Sequence, residues 1–420
     1  MEKINSERLW KRLHEIGGIG ADPRGGISRF SWTEESKQAQ ILLTKYMEDI
    51  GLQVRTDSVG NIFGKLEGSD PKLAPILIGS HLDTVPCGGY FDGNAGVAAA
   101  LEVLTVISEH KVPVRRSIEL CAFCNEEASQ FLGGHFGSKA MAGRLPDDYL
   151  LTCKHKETGT TLYDAMKEYG MGLDPDHLEA SKLEKDQYYC FIELHPEQGR
   201  TLLDQDCSMS ILDGIAGIKQ FYITFHGEKC HAGGMAMGNR HDALQGAVHT
   251  AVKVDELAKA GGVASRGTVG YIAVHPNEHN IVADEVTISV DFRELDEVIF
   301  NRLYEDLIGY IDEVCEQFKI TYDVRFTIDT KPAICDKRLV ALMKDIADKH
   351  GYSHYKMVSY PAHDAMQLVD LFPIAMIFLR SGNEGLAHHP DEYTSPEDMA
   401  DGTQVLYDAV LRLANEDILK

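Results

Sequence analysis

Four short runs constrain the fold more than any other feature of this chain: "APILIG" (74–79), "SIELCAF" (117–123), "YYCFIEL" (188–194) and "PIAMIFLR" (373–380). Each is almost continuously apolar, and each gives way to polar or glycine-rich residues. A strand with one wet face alternates apolar and polar residues, so unbroken runs belong to a sheet covered on both faces. Helical stretches such as "NAGVAAALEVLTVIS" fall between them, which predicts an α/β architecture: a mixed sheet flanked by helices. "SWTEESKQAQILLTKYMEDIG" predicts a helix with Ser31 and Glu34 in capping-box spacing, Leu43, Met47 and Ile50 on one face, and a stop at Gly51. "LQVRTDSVGNIFGKLEG" predicts a hairpin.

Between residues 212 and 330 the pattern changes. "KQFYITFHG" places Phe221, Ile223 and Phe225 on one strand face. A helix from about Asp242 to Ala260 follows, then the strands "GTVGYIAVH" and "DEVTISVDFR". A helix carrying Ile299, Leu303, Leu307 and Ile311 precedes the closing strand "ITYDVRFTID". The order β-α-β-β-α-β is a ferredoxin-like split motif. The expectation is a larger domain formed by 1–211 and 331–420, with 212–330 inserted into it.

Composition narrows the function classes. A net charge of −24 over 420 residues repels phosphate backbones and anionic lipid, so neither nucleic acid nor membrane is an expected partner. An anionic small substrate would need a local cationic clamp. "MEKINSERLW" lacks the apolar core of a secretory signal, and no run approaches a membrane span, so the expected location is cytoplasmic. Nine cysteines without a signal argue against a disulfide framework. Cys121 and Cys124 fall in and beside a strand-like run rather than in a paired metal motif, and read as buried filler.

In open α/β sheets, ligands gather beyond the carboxyl ends of the strands. "HLD" ends the first apolar run, "NEE" the second, "HPEQG" the third and "SGNEGLAHHP" the fourth, while Asp92 follows His81 in the glycine-flanked loop "GGYFDG". The collected set is His81, Asp92, Glu127, His195 and His388, with Asp83 and Glu126 alongside. Imidazole mixed with carboxylate suits zinc, manganese, cobalt or nickel rather than calcium. Five ligands exceed one tetrahedral ion with an open position but match two ions sharing a bridging carboxylate. Asp83, two residues after His81, is placed to accept that ring's other N–H. Of the adjacent glutamates, one can bind metal while the other moves a proton. On "VTISVDFR", Thr287, Ser289, Asp291 and Arg293 share the polar face. Arg293 there either forks onto a substrate carboxylate or pairs with Asp291 or Glu294.

These motifs resemble those of the dinuclear metal amidohydrolases that include N-carbamoyl-L-amino acid hydrolases, allantoate amidohydrolases and β-ureidopropionases, and more distantly aminoacylases and zinc carboxypeptidases. The resemblance runs from "ERLWKRL" to "HHPDEYTSPEDMADG", and its most specific pieces are "GSHLDTV…GGYFDG", "ELHPEQG", "HAGG", "HNIVADEVTISVDFR" and "GLAHHP". It implies His81, Asp92 and His195 on one divalent ion, Asp92, Glu127 and His388 on a second, and Glu126 as general acid/base. It implies that His231 stabilises the oxyanion across a homodimer formed through the inserted lid domain, and that Gln198, Asn280 and Arg293 hold the substrate's carboxylate. The expected reaction is hydrolysis of the ureido C–N bond of an N-carbamoyl-L-amino acid. Allantoate hydrolysis is the nearest alternative, then N-acyl-amino acid or dipeptide hydrolysis, then a metal-stabilised binding protein without turnover. "HAGGMAM" stands where the family usually carries "HAGTTPM", so the loop beside His231 is remodelled.

Overall fold

The computed structural model describes residues 2–131 and 133–420. The four apolar runs form the four central strands of an eight-stranded sheet, in the order Gln53–Thr56, Ile62–Leu66, Ile118–Phe123, Ile76–His81, Cys190–Pro196, Ile374–Leu379, Met209–Ile211, His354–Tyr355. Those four run parallel, with His81 opposite Phe123 and His195 opposite Phe378. All of their residues are buried, each large aliphatic or aromatic side chain contributing roughly 1.5–3 kcal/mol. Parallel strands need crossover helices, and Asn94–Glu109 and Pro396–Asn415 pack on this sheet. The hairpin Gln53–Thr56 with Ile62–Leu66 adds the antiparallel edge.

The helix predicted after Ser31 runs Glu34–Asp49, but its N-cap is Thr33, whose hydroxyl accepts from Ser36 N at 3.4 Å. Trp32 has a φ of 63°, so the chain turns just before the helix and leaves Ser31 buried behind that turn. The third central strand also runs on through His195 and Pro196, because pairing with Ile374–Leu379 continues to Leu379.

The chain divides into two compact units: Met1–Asp213, Ile334–Met357 and His363–Lys420 form the first, and Gly214–Ala333 with Val358–Ala362 the second. The short segment belongs to the second unit because Ala216 N donates to Ser359 O at 2.8 Å and Arg293 Nη1 to Tyr360 O at 2.8 Å. The second unit is an antiparallel sheet in which Glu285–Glu294 pairs Gly217–His226, Arg266–Thr268 and Ile272–His275, and Thr321–Thr330 closes the far edge. Helices Ala243–Gly261 and Glu297–Phe318 cover one face, burying Phe221, Ile223 and Phe225 against Leu303, Leu307 and Ile311. Among the described residues no helix is long and apolar enough to cross a membrane, and all nine cysteines are free.

Candidate metal centre and substrate residues

His81 closes its strand and His195 lies one residue from the end of the next. Both rings point from the carboxyl ends of parallel neighbours. Asp92 comes from the loop before helix Asn94–Glu109, whose N-cap is Gly93 with φ 64°. A Cβ at Gly93 would stand 2.4 Å from the His81 ring, so glycine is what lets this loop press against the imidazole.

The two oxygens of Asp92 divide the surrounding groups. Oδ1 lies 3.4 Å from His81 Nε2 and 3.0 Å from His195 Nε2. Oδ2 lies 3.1 Å from His388 Nε2, which is 3.4 Å from Glu127 Oε1. His81, Asp92 and His195 thus form one triad able to hold a metal ion, and Asp92, Glu127 and His388 another. His389 turns away, its Nδ1 accepting from Asp391 N at 3.1 Å.

The chemistry of the donors fits a cation. His81 Nδ1 sits 3.0 Å from Asp83 O, and His195 Nδ1 3.0 Å from Pro196 O. A carbonyl only accepts, so each neutral ring carries its proton on Nδ1 and turns an Nε2 lone pair toward Asp92. Asp92 Oδ1 and Glu127 Oε1 are buried and receive no hydrogen bond among the described residues. Lone pairs facing one another at these distances need a positive charge among them, and three imidazoles with two carboxylates make a donor set for divalent transition ions. The same crowding moves the titrations. Burial raises the Glu127 carboxyl well above its ordinary range, with Asp92 and Glu126 adding to it.

Asp83 corrects one expectation. Its carboxylate stands 3.9 Å from His81 Nδ1, and the close partner of that ring is the Asp83 backbone carbonyl. The carboxylate instead accepts from Glu126 N at 3.0 Å and Glu127 N at 3.1 Å, so it fixes the loop carrying both glutamates. Arg29 supports the same region from beneath. It is 1% exposed, and its guanidinium donates to Leu82 O, Ile16 O, Gly17 O and Ile19 O at 2.8–3.2 Å.

Two residues beside the centre escaped the sequence reading. His135 Nε2 lies 2.8 Å from Glu126 Oε1, and His363 meets the His195 ring edge-on at 4.6 Å. Burial opposes ionisation of Glu126, but His135 and His81 outweigh it and hold the carboxyl down at about 2. A histidine after "GG" and another in "SYPAHDA" carry no spacing that separates them from structural residues. Only the fold brings them here.

Gln198 joins the first unit's centre: its side-chain N–H donates to Asp92 Oδ2 at 3.0 Å and lies 3.3 Å from His388 Nε2. The second unit holds the other three expected residues. His231 and Asn280 meet on a two-stranded ribbon, Cys230–His231 with Ile281–Val282, where Ala232 N donates to Asn280 O at 2.9 Å. His231 is exposed, and its Nδ1 accepts from Gly233 N at 3.1 Å and Gly234 N at 3.0 Å. When neutral, that ring therefore carries its proton on Nε2. Arg293 is forked onto Asp291, at 3.1 and 3.0 Å.

The model of peptidase family M20/M25/M40 matches residues 77–412. An N-carbamoyl-L-amino acid amidohydrolase of Geobacillus stearothermophilus is 36% identical over 98% of this chain and 99% of its own length. An allantoate amidohydrolase of Escherichia coli strain K12 is 32% identical over 97% and 98%. The solved structure of an amidase of the hydantoinase/carbamoylase family from Burkholderia multivorans superposes with a TM-score of 0.87 at 30% identity, covering 99% of both chains. With its strand-end histidines and carboxylates gathered on Asp92, and matches of this length, the chain belongs to peptidase family M20/M25/M40.

Proposed function

We propose that the protein is a metal-dependent amidohydrolase cleaving the ureido C–N bond of an N-carbamoyl-L-amino acid. The observation that carries this reading is the division of Asp92 between two triads, with Glu126 beside one of them. The relatives, named for carbamoyl-amino acid and allantoate hydrolysis, support the ureido class. His81, Asp92 and His195 would hold one divalent ion, and Asp92, Glu127 and His388 a second. Ions bound there supply Lewis acidity toward the carbonyl and make water a nucleophile near neutral pH.

The remaining steps belong to the chain's own groups. Glu126, turned by His135 and anchored through its backbone by Asp83, takes a proton from the attacking water and delivers it to the leaving nitrogen. His231 donates its Nε2–H to the oxygen on which charge develops. Arg293, Asn280 and Gln198 hold the carboxylate. Arg293 keeps its fork on Asp291 while doing so: its five N–H groups make three bonds, leaving two for a substrate. Cleavage gives the amino acid and carbamate, which decays to ammonia and carbon dioxide. The working species in this reading is a homodimer, cytoplasmic, with the second unit as lid and dimerisation domain. Light scattering after size exclusion tests the dimer.

Ammonia release by protein reloaded with manganese or cobalt, offered N-carbamoyl-L-amino acids, allantoate and N-acetyl-amino acids at one concentration, tests the reaction. Release from a carbamoyl amino acid upholds it. Preference for allantoate moves the assignment to the neighbouring ureide, and cleavage of the acyl compounds alone overturns it.

A further inference from the structure

On the second unit's sheet, Arg266 stands directly opposite Arg293 in the antiparallel pairing of Arg266–Thr268 with Glu285–Glu294. Directly opposed residues project from the same face, and like charges so placed repel. A chain gains nothing in folding from that arrangement, and this one has 65 acidic residues from which to provide a partner. The surroundings hold the two arginines together rather than separating them. The Arg266 guanidinium lies over the Tyr360 ring, 4.3 Å from its centroid, while Arg293 donates to the carbonyl oxygen of that same Tyr360. The cation–π contact steadies Arg266 without neutralising it.

Counting charge and donors shows what remains. Arg293 is paired with Asp291, whereas Arg266 has no carboxylate partner among the described residues. Arg266 Nη1 donates to Val263 O at 2.6 Å and Ser265 O at 3.0 Å, which leaves three of its N–H groups to set beside the two left on Arg293. One uncompensated positive charge and five free donors thus sit at one spot in a chain of net charge −24. Charge at a sheet edge also serves to deter pairing with other chains. Arg266 is exposed, as that role requires, but an edge charge needs neither the stacking on Tyr360 nor a second arginine opposite it.

We propose that Arg266 and Arg293 form a paired-cation subsite for a second carboxylate, so that the preferred substrate is a ureido acid with an acidic side chain. The assignment rests on the ureidohydrolase reading above and names its substrate class. Arg293 and its neighbours take the α-carboxylate, and Arg266 takes the side-chain carboxylate.

Steady-state kinetics with N-carbamoyl-L-aspartate, N-carbamoyl-L-glutamate and N-carbamoyl-L-alanine, on the metal-loaded enzyme and on R266Q and R266K, test the subsite. Wild type favours the dicarboxylates. In R266Q the dicarboxylate-to-alanine ratio of kcat/KM falls about tenfold or more, chiefly through KM, as expected for one lost charge-assisted contact. R266K, keeping the charge but losing the fork, recovers part of that ratio. A ratio unchanged by R266Q, or a wild type that prefers the alanine compound, overturns the proposal. If no carbamoyl amino acid is hydrolysed, the carbamoyl-amino-acid assignment fails by itself, and calorimetric titration with glutarate and with butyrate decides the subsite separately. A glutarate preference that R266Q abolishes upholds the paired cations, and equal preference in both proteins removes them.

Discussion

In the first unit, His81, Asp92 and His195 are buried, and each ring is pinned by a carbonyl or a neighbouring ligand. In the second, His231 and Asn280 stand exposed on a ribbon whose two strands are two residues each. The centre is an extension of the core: it sits on parallel strands whose register is fixed by buried side chains, and its geometry is paid for by the whole sheet. The ribbon is held by its own short ladder, by Met235 N, which donates to His231 O at 3.0 Å, and by the Arg240 guanidinium, which donates to Ala232 O and Met235 O. A pre-organised ligand cage binds ions with little rearrangement, while an exposed donor is free to adjust to what it meets. Substitutions should therefore separate the two regions, the first mixing stability with chemistry and the second touching chemistry alone.

Glu126→Gln gives the largest effect: kcat falls by about 10²–10⁴-fold with bound metal retained, read by ammonia release beside elemental analysis. Full activity would remove Glu126 from the proton transfers. His231→Ala lowers kcat by about 10²–10³-fold, while its melting temperature stays within the small range of surface changes. A large loss of stability there would erase the contrast between the regions. Arg29→Ala leaves four carbonyls beneath the centre without their donor and costs about 3 kcal/mol or more in urea unfolding. Metal affinity should weaken with it, because Leu82 precedes the Asp83 loop. Thr33→Ala is the smallest, costing about 1 kcal/mol as the N-cap of Glu34–Asp49. An equal loss from Ser31→Ala and none from Thr33→Ala would restore the capping box expected from the sequence.

What could be read from the sequence follows from periodicity. The central strands announce themselves because burial on both faces removes every polar residue except those at strand ends, and those ends carried the ligand types. Of the two adjacent histidines, His388 lies beside Asp92 and Glu127, while His389 turns to Asp391. Side-chain direction within loops was not legible. Asp83 is two residues from His81, yet its carboxylate faces the Glu126–Glu127 backbone, because the chain leaves the strand there and offers its carbonyl to the ring. His135 reaches Glu126 only because its own N–H closes a turn on Glu126 O at 2.8 Å. Tyr360 was equally invisible: nothing local marks it as the residue on which two arginines meet.

The imidazoles that converge on Asp92 come from distant parts of the chain, His81 and His195 being 114 positions apart, with His388 later still. The first triad is complete in the chain at His195, whereas the second waits for His388, so a growing polypeptide presents the two sites together only when its last ligand has been made. Filling of the second site is then a late event in the life of each molecule. Occupancy of both sites, rather than of one, would record that His388 had been brought to Asp92.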